Sequence, residues 1–127
     1  MIKSGRKPTP IITFEYSSNL LIDKKIHSFL LETHNILVNE IKTDLRTCRS
    51  TIAKHDNYVV GNDDLKNAFI LLTIRMLPGR TDEIKKHLGQ ILLQKINHDF
   101  AGEIVNYDTQ IRVYLTETDK NHYYGLE

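Results

Sequence analysis

Ala68-Phe-Ile-Leu-Leu-Thr-Ile-Arg-Met-Leu77 is the strongest strand signal in the 127-residue chain, and Pro78-Gly79 breaks it abruptly. Phe69, Ile70, Leu71 and Leu72 are apolar at consecutive positions, so this strand carries apolar side chains on both faces, as strands covered on both sides do. Downstream, Thr81 can cap a helix with Asp82 and Glu83 in its first turn, where the helix dipole favours acids. Ile84, Leu88, Ile91, Leu92, Ile96 and Phe100 then recur at helical steps as one buried stripe, and Gly102 is placed to end the helix. Thr109 to Thr116 alternates Ile111, Val113 and Leu115 with polar residues, which predicts a half-buried last strand.

The upstream half has the same order. Pro10-Ile-Ile-Thr-Phe-Glu-Tyr16, closed by Ser17, Ser18 and Asn19, reads as a strand ending in a turn. Ile22, Ile26, Phe29, Leu30, Leu37 and Ile41 form the apolar face of a helix of several turns. Leu45 to His55 and Tyr58 to Val60 read as an extended strand with an irregular middle, and Gly61-Asn-Asp-Asp64 as a turn. The layout is α+β: duplicated β-α-β units forming a four-stranded mixed sheet with two helices on one face. Two helices leave the other face open, and its apolar residues predict a homo-oligomer in which another subunit covers it.

Composition narrows the function classes. Seventeen Lys and Arg against 16 Asp and Glu give a formal net charge of +1, which argues against a dedicated nucleic-acid or acidic-membrane binder. Aromatics are 8% with no Trp, so the core must be mostly aliphatic. No stretch approaches the roughly 20 apolar residues of a membrane span. MIKSGRKPTP lacks the apolar segment of a signal peptide. The single Cys48 has no internal disulfide partner and suits a reducing compartment. These features predict a small soluble cytoplasmic protein, with residues 1–9 as an N-terminal extension and 10–127 as a single domain.

Three blocks, Pro10-Ile-Ile-Thr-Phe-Glu-Tyr-Ser-Ser-Asn19, Cys48-Arg-Ser-Thr-Ile-Ala-Lys-His-Asp56 and Ala68 to Arg80, together resemble 5-carboxymethyl-2-hydroxymuconate isomerases of the tautomerase superfamily, in matching register from Pro10 to about Asp119. The resemblance implies a tautomerase-like homotrimer with sheets packed around a three-fold axis. It also implies a cofactor-free, metal-free isomerisation of a small unsaturated carboxylate in aromatic-compound degradation, with a double bond moved by proton transfer. In that family an N-terminal proline amine is the base, and arginines hold the substrate's carboxylates and carbonyl oxygen. By position Pro10 matches the proline, and Arg49 and Arg80 match two arginines. A further arginine common two places after the first is Thr51 here, which leaves Arg46 or Arg75 as possible replacements.

Each of these residues has its own physical reading. A carbon acid near neutral pH needs a base with a pKa near the working pH. A terminal amine, ordinarily at roughly 7.7–8.0, is brought there by apolar burial and nearby cations. Nine residues precede Pro10, so its nitrogen is a tertiary amide without basicity. Ile2 normally blocks methionine excision, so only cleavage between Thr9 and Pro10 would free the amine. Otherwise Pro10 is a strand-start proline that needs no ladder donor. Arg80, directly before the second helix, can join the helix N-terminus in a carboxylate site, or pair with Asp82 or Glu83 at the surface. Arg49 in its strand is otherwise a solvated or cross-strand-paired cation. His27, His34, His87 and His98 lack the spacing of a metal site and read as solvated. His55-Asp56 would be a fallback base with a carboxylate, but adjacent strand residues face opposite ways. Cys48 reads as an inert strand cysteine.

Two functions follow: a cofactor-independent isomerase, or a non-catalytic relative that binds small carboxylates because Pro10 is not N-terminal. An RNA-recognition-type domain shares the element order. Ala68-Phe-Ile-Leu-Leu-Thr lacks the Gly-aromatic pattern of that module, which sets it aside.

Overall fold

The structure is a computed structural model that describes residues 9–126. The N-terminal extension expected over residues 1–9 therefore lies, apart from Thr9, outside the described residues. Strand β1 (Ile11–Ser17) leads into helix α1 (Asp23–Ile41) and strand β2 (Arg49–His55). Strand β3 (Asn67–Met76), helix α2 (Asp82–Asp99), a short helix α3 (Ala101–Ile104) and strand β4 (Asp108–Glu117) follow. The sheet order is β2-β1-β3-β4. β2 runs parallel to β1, and β4 parallel to β3, so each half is a parallel β-α-β unit. The halves meet where β1 and β3 pair antiparallel at the centre.

Alternation along the strands decides which face the helices cover. Ile12, Phe14 and Tyr16 of β1 and Ala68, Ile70, Leu72, Ile74 and Met76 of β3 are buried under the helices. α1 answers with Ile26, Phe29, Leu30, Leu37 and Ile41, and α2 with Leu88, Leu92 and Ile96. Phe14, Phe29 and Phe100 form the centre of this core, with ring centroids 5.3 to 5.7 Å apart in tilted or edge-on packing. The odd-numbered residues Ile11, Thr13 and Glu15 of β1 and Asn67, Phe69, Leu71 and Thr73 of β3 point the other way and are half-buried in this single chain, while Arg75 is exposed.

Several local expectations are corrected. Leu45–Thr47 is a 3-10 turn and not the start of a strand, because Asp44 accepts a hydrogen bond from the Arg46 N–H and caps it. Tyr58 to Val60 is not a strand: the Asn67 side-chain amide donates to the Val60 carbonyl at 2.9 Å and holds the segment in a loop. Gly102 lies inside α3 and does not end α2; the break comes at Phe100, which is fully buried with φ −111°. Ile84 is 38% exposed, outside the buried stripe. Thr81 caps α2 as expected, accepting from the Ile84 N–H at 3.2 Å.

Candidate active site

Pro10 precedes β1, and everything the sequence ties to it collects at that end of the sheet. Its carbonyl accepts from the Arg49 N–H at 3.4 Å, the first link between β1 and β2. Thr9, joined to it by a cis peptide bond, is 5% exposed and held on three sides. Thr47 and Thr43 hydroxyls donate to the Thr9 carbonyl at 2.8 and 3.3 Å, and the Thr9 hydroxyl donates to the Arg75 carbonyl at 3.2 Å. In this linkage the Pro10 nitrogen is an amide nitrogen and removes no proton.

The strand register sets the arginines around this point. Ile11 pairs with Arg49 on one side and with Arg75 on the other, and Arg75 pairs with Thr116. Arg49 and Arg75 therefore flank Ile11 on the open face of the sheet, and both are exposed. Among the described residues neither guanidinium has a hydrogen-bond or ion-pair partner. The next row is Thr51, Thr13, Thr73 and Tyr114.

Arg46 and Arg80 are occupied. Arg46 donates to both carboxylate oxygens of Asp44, at 3.3 Å from Nε and 3.0 Å from Nη2. Arg80, half-buried, donates from Nη1 to the Leu77 carbonyl and from Nη2 to the Ile41 carbonyl, each at 2.9 Å. It thereby clamps the end of β3 to the C-terminus of α1, where carbonyls lack intrahelical donors. Arg80 pairs with neither Asp82 nor Glu83 among the described residues; Asp82 lies 3.5 Å from Lys85 instead.

The histidines divide differently from the sequence reading. His55 finds its carboxylate in Glu15, with Nε2 3.0 Å from Oε1, and not in the neighbouring Asp56. His34, expected to be solvated, is half-buried with Nε2 2.6 Å from the Ser50 hydroxyl, and burial holds its pKa below the usual imidazole value. His27, His87 and His98 are exposed. Burial pushes the Cys48 thiol up and the nearby Asp44 charge adds to it, the opposite of an activated nucleophile. No group of three or more His, Cys, Asp or Glu side chains that could hold a metal occurs among the described residues. No helix among them is long and apolar enough to cross a membrane. A cleft of about 500 Å³ bordered by Asn62, Asp64, Lys66 and Asp108 sits at the opposite end of the sheet, away from Pro10.

Sequence reasoning missed the Arg49-Ile11-Arg75 row, the Thr9 clasp and the His55–Glu15 pair. Alternation along β3 places Arg75 on the open face with Phe69, Leu71 and Thr73. Which residue of β1 stands opposite depends on register, for which no hairpin turn gives a sequence signal here, since β1 and β3 are half a chain apart.

Two parallel β-α-β units joined through an antiparallel central pair, with a proline at the head of the first strand, define the tautomerase-like class of fold. Residues 10–125 match the 5-carboxymethyl-2-hydroxymuconate isomerase family, and the chain belongs to that family. The fold is similar to that of a 5-carboxymethyl-2-hydroxymuconate isomerase from Deinococcus radiodurans R1, at 21% identity and a TM-score of 0.84 over 93% of this chain and 89% of that one. A 5-carboxymethyl-2-hydroxymuconate delta-isomerase superposes with a TM-score of 0.80 at 13% identity, covering 94% and 89%. A fused 4-OT described as a symmetric trimer superposes with a TM-score of 0.71 at 18% identity, covering 91% and 90%. No curated protein matches the chain significantly.

Proposed function

We propose that this protein is a cofactor-independent isomerase of the tautomerase superfamily that moves a double bond in an unsaturated carboxylic acid, as 5-carboxymethyl-2-hydroxymuconate delta-isomerase does, in aromatic-compound degradation. It works as a cytoplasmic homotrimer. The carrying observation is the exposed Arg49, without a side-chain partner among the described residues and paired in register with Ile11, the residue next to Pro10. A guanidinium there offers paired donors to a carboxylate or to a developing enolate oxygen.

The chemistry requires hydrolysis of the Thr9–Pro10 bond. The freed secondary amine, with its pKa lowered by burial and by the neighbouring guanidinium charges, takes the proton from a carbon next to the substrate carbonyl. The C–H electron pair moves into the conjugated system, and the charge on oxygen is held by the arginines. The ammonium then returns the proton at the far carbon of that system. Nothing is oxidised or reduced, and no water is consumed in the isomerisation.

A second reading has its own observation. Thr9 is buried and bonded through both its carbonyl and its hydroxyl, which favours an intact bond and a protein that binds small carboxylates without turnover. Intact-mass measurement on protein from its native source, joined to an enol–ketone assay on full-length and trimmed chains, separates the two. Loss of residues 1–9 with activity in the trimmed form alone supports the amine mechanism. A full-length mass with undiminished turnover removes Pro10 as the base. A full-length mass with no turnover in either form leaves the binding reading.

A further inference from the structure

We infer that Ser50 and His34 form a second reactive site, in which the Ser50 hydroxyl takes a short apolar acyl group from an activated ester with His34 as its base. The site stands apart from the proposed isomerase and lies on the other side of the sheet. Ser50 pairs in register with Ile12, and Ile52 with Phe14, so both β2 side chains share the helix-covered side with those buried residues. On α1, His27, Leu30, Leu31 and His34 follow one another at three- and four-residue steps and so share a flank of the helix. A pocket of about 130 Å³ lies between this flank and Ser50 and Ile52.

His34 Nε2 stands 2.6 Å from Ser50 Oγ, within the reach required of a nucleophile and its base. His34 is half-buried and has no carboxylate partner among the described residues, and its burial favours the neutral ring. With its proton on Nδ1, that ring accepts the Ser50 hydroxyl hydrogen at Nε2. His27, exposed, is the other titratable group lining the pocket. An amide donor lies at the nucleophile itself. β2 is an edge strand, and its odd-numbered residues bond to β1: the Arg49 N–H donates to the Pro10 carbonyl, and the His55 carbonyl accepts from Ser18. Alternation in a parallel ladder therefore turns the Ser50 N–H away from β1, where it can meet the oxygen on which charge develops. The pocket is slightly smaller than the roughly 150 Å³ that holds a benzene-sized group. Its walls are Leu30, Leu31 and Ile52, and no Lys or Arg lines it, so it suits a butyryl group and not an anionic one.

In the reaction the hydroxyl proton passes to His34 Nε2 as Oγ bonds to the acyl carbon. The bond to the leaving oxygen then breaks, and that oxygen takes the proton back from His34. Water attacks the acyl-Ser50 ester by the same route and releases a carboxylic acid. Nothing is oxidised or reduced.

The test incubates the full chain with p-nitrophenyl butyrate, follows p-nitrophenolate release, and maps the acylated residue by peptide mass spectrometry after an acid quench. Butyryl is expected on Ser50, with release above background lost in Ser50→Ala. His34→Gln keeps a side chain that can hydrogen-bond Ser50 but removes the base, and should slow release by about 100-fold. Release should also fall at acid pH as His34 gains its proton, with a midpoint below the ordinary imidazole value of roughly 6.5. Circular dichroism of each variant checks the fold. Acylation found only at other residues, or release unchanged in Ser50→Ala or in His34→Gln, overturns the proposal. The enol–ketone assay plays no part in this readout, so failure here and failure of the isomerase reading are distinguishable.

Discussion

Arg80 shows how one side chain serves the frame rather than the solvent. Its two bonds reach carbonyls 36 residues apart in sequence, Leu77 and Ile41, so replacing it leaves both acceptors short of a donor. Arg80→Ala is therefore expected to lower stability by about 2–4 kcal/mol, read as a fall in the urea midpoint with an unchanged slope. If it instead weakens carboxylate binding at unchanged stability, Arg80 faces ligand. Tyr16 sets a second case. Its buried phenol donates to Asp23 Oδ1 at 2.6 Å, and Lys54 holds the other Asp23 oxygen at 2.9 Å. Burial first, then the Asp23 bond and charge, push the phenol well above its ordinary value. A raised folded-state pKa means stability that is complete below the unfolded value near 10 and drains away as pH rises beyond it. An alkaline titration followed by tyrosinate absorbance should show one phenol ionising only as the protein unfolds, and Tyr16→Phe should lack that step. At this scale the sequence was a partial guide. It marked Arg49 and Arg80 by position, but whether a guanidinium is free or bonded to a carbonyl 39 residues away is a property of the folded chain.

Elements were legible where one period dominated. Ile22, Ile26, Phe29, Leu30, Leu37 and Ile41, spaced for a single helix face, are all buried. Strand ends were less so, because short-range polar contacts overrode composition: Asp44 caps a 3-10 turn ahead of β2, and Asn67 pins Val60 in a loop. The ends of α1 are also locally weak. Ile22 provides no side-chain cap, and Lys42 closes the helix in the left-handed region at φ 56°. Because a side chain with a Cβ is strained there, Lys42→Gly should raise stability by about 1 kcal/mol. A higher urea midpoint is the expected reading, and a lower one would mean that the lysine side chain contributes more than its backbone costs. Lys95 binds α2 to α1 through Glu32 and to its own turn through Asp99. Burial works against its charge, yet the two carboxylates more than offset this and raise its pKa.

The whole molecule presents one covered face and one open face. The duplicated β-α-β order was readable because each half alternates strand, helix and strand with its own turn chemistry. The open face was readable only in outline: Phe69 and Leu71 announced apolar character, while the threonine row and the flanking arginines depended on register. On the trimer reading, this face is where subunits meet. Light scattering should give three times the 14.8 kDa chain mass, and Thr73→Arg, placing a charge at the centre of the face beside Thr13 and Tyr114, should shift the population to monomer. A monomer in the unsubstituted protein would remove the assembly.

The seam between β1 and β3 has a consequence for how the chain can be divided. Each edge strand, β2 or β4, is parallel to a strand of its own half, and the halves are joined by the central ladder and by the core they share under the helices. The Gly61–Asp64 turn is exposed and lies between them. A nick introduced in that turn severs neither crossover, so two fragments co-expressed from separate reading frames each retain a whole β-α-β unit and recognise the other through the β1–β3 ladder and the Phe14, Phe29 and Phe100 contacts beneath it.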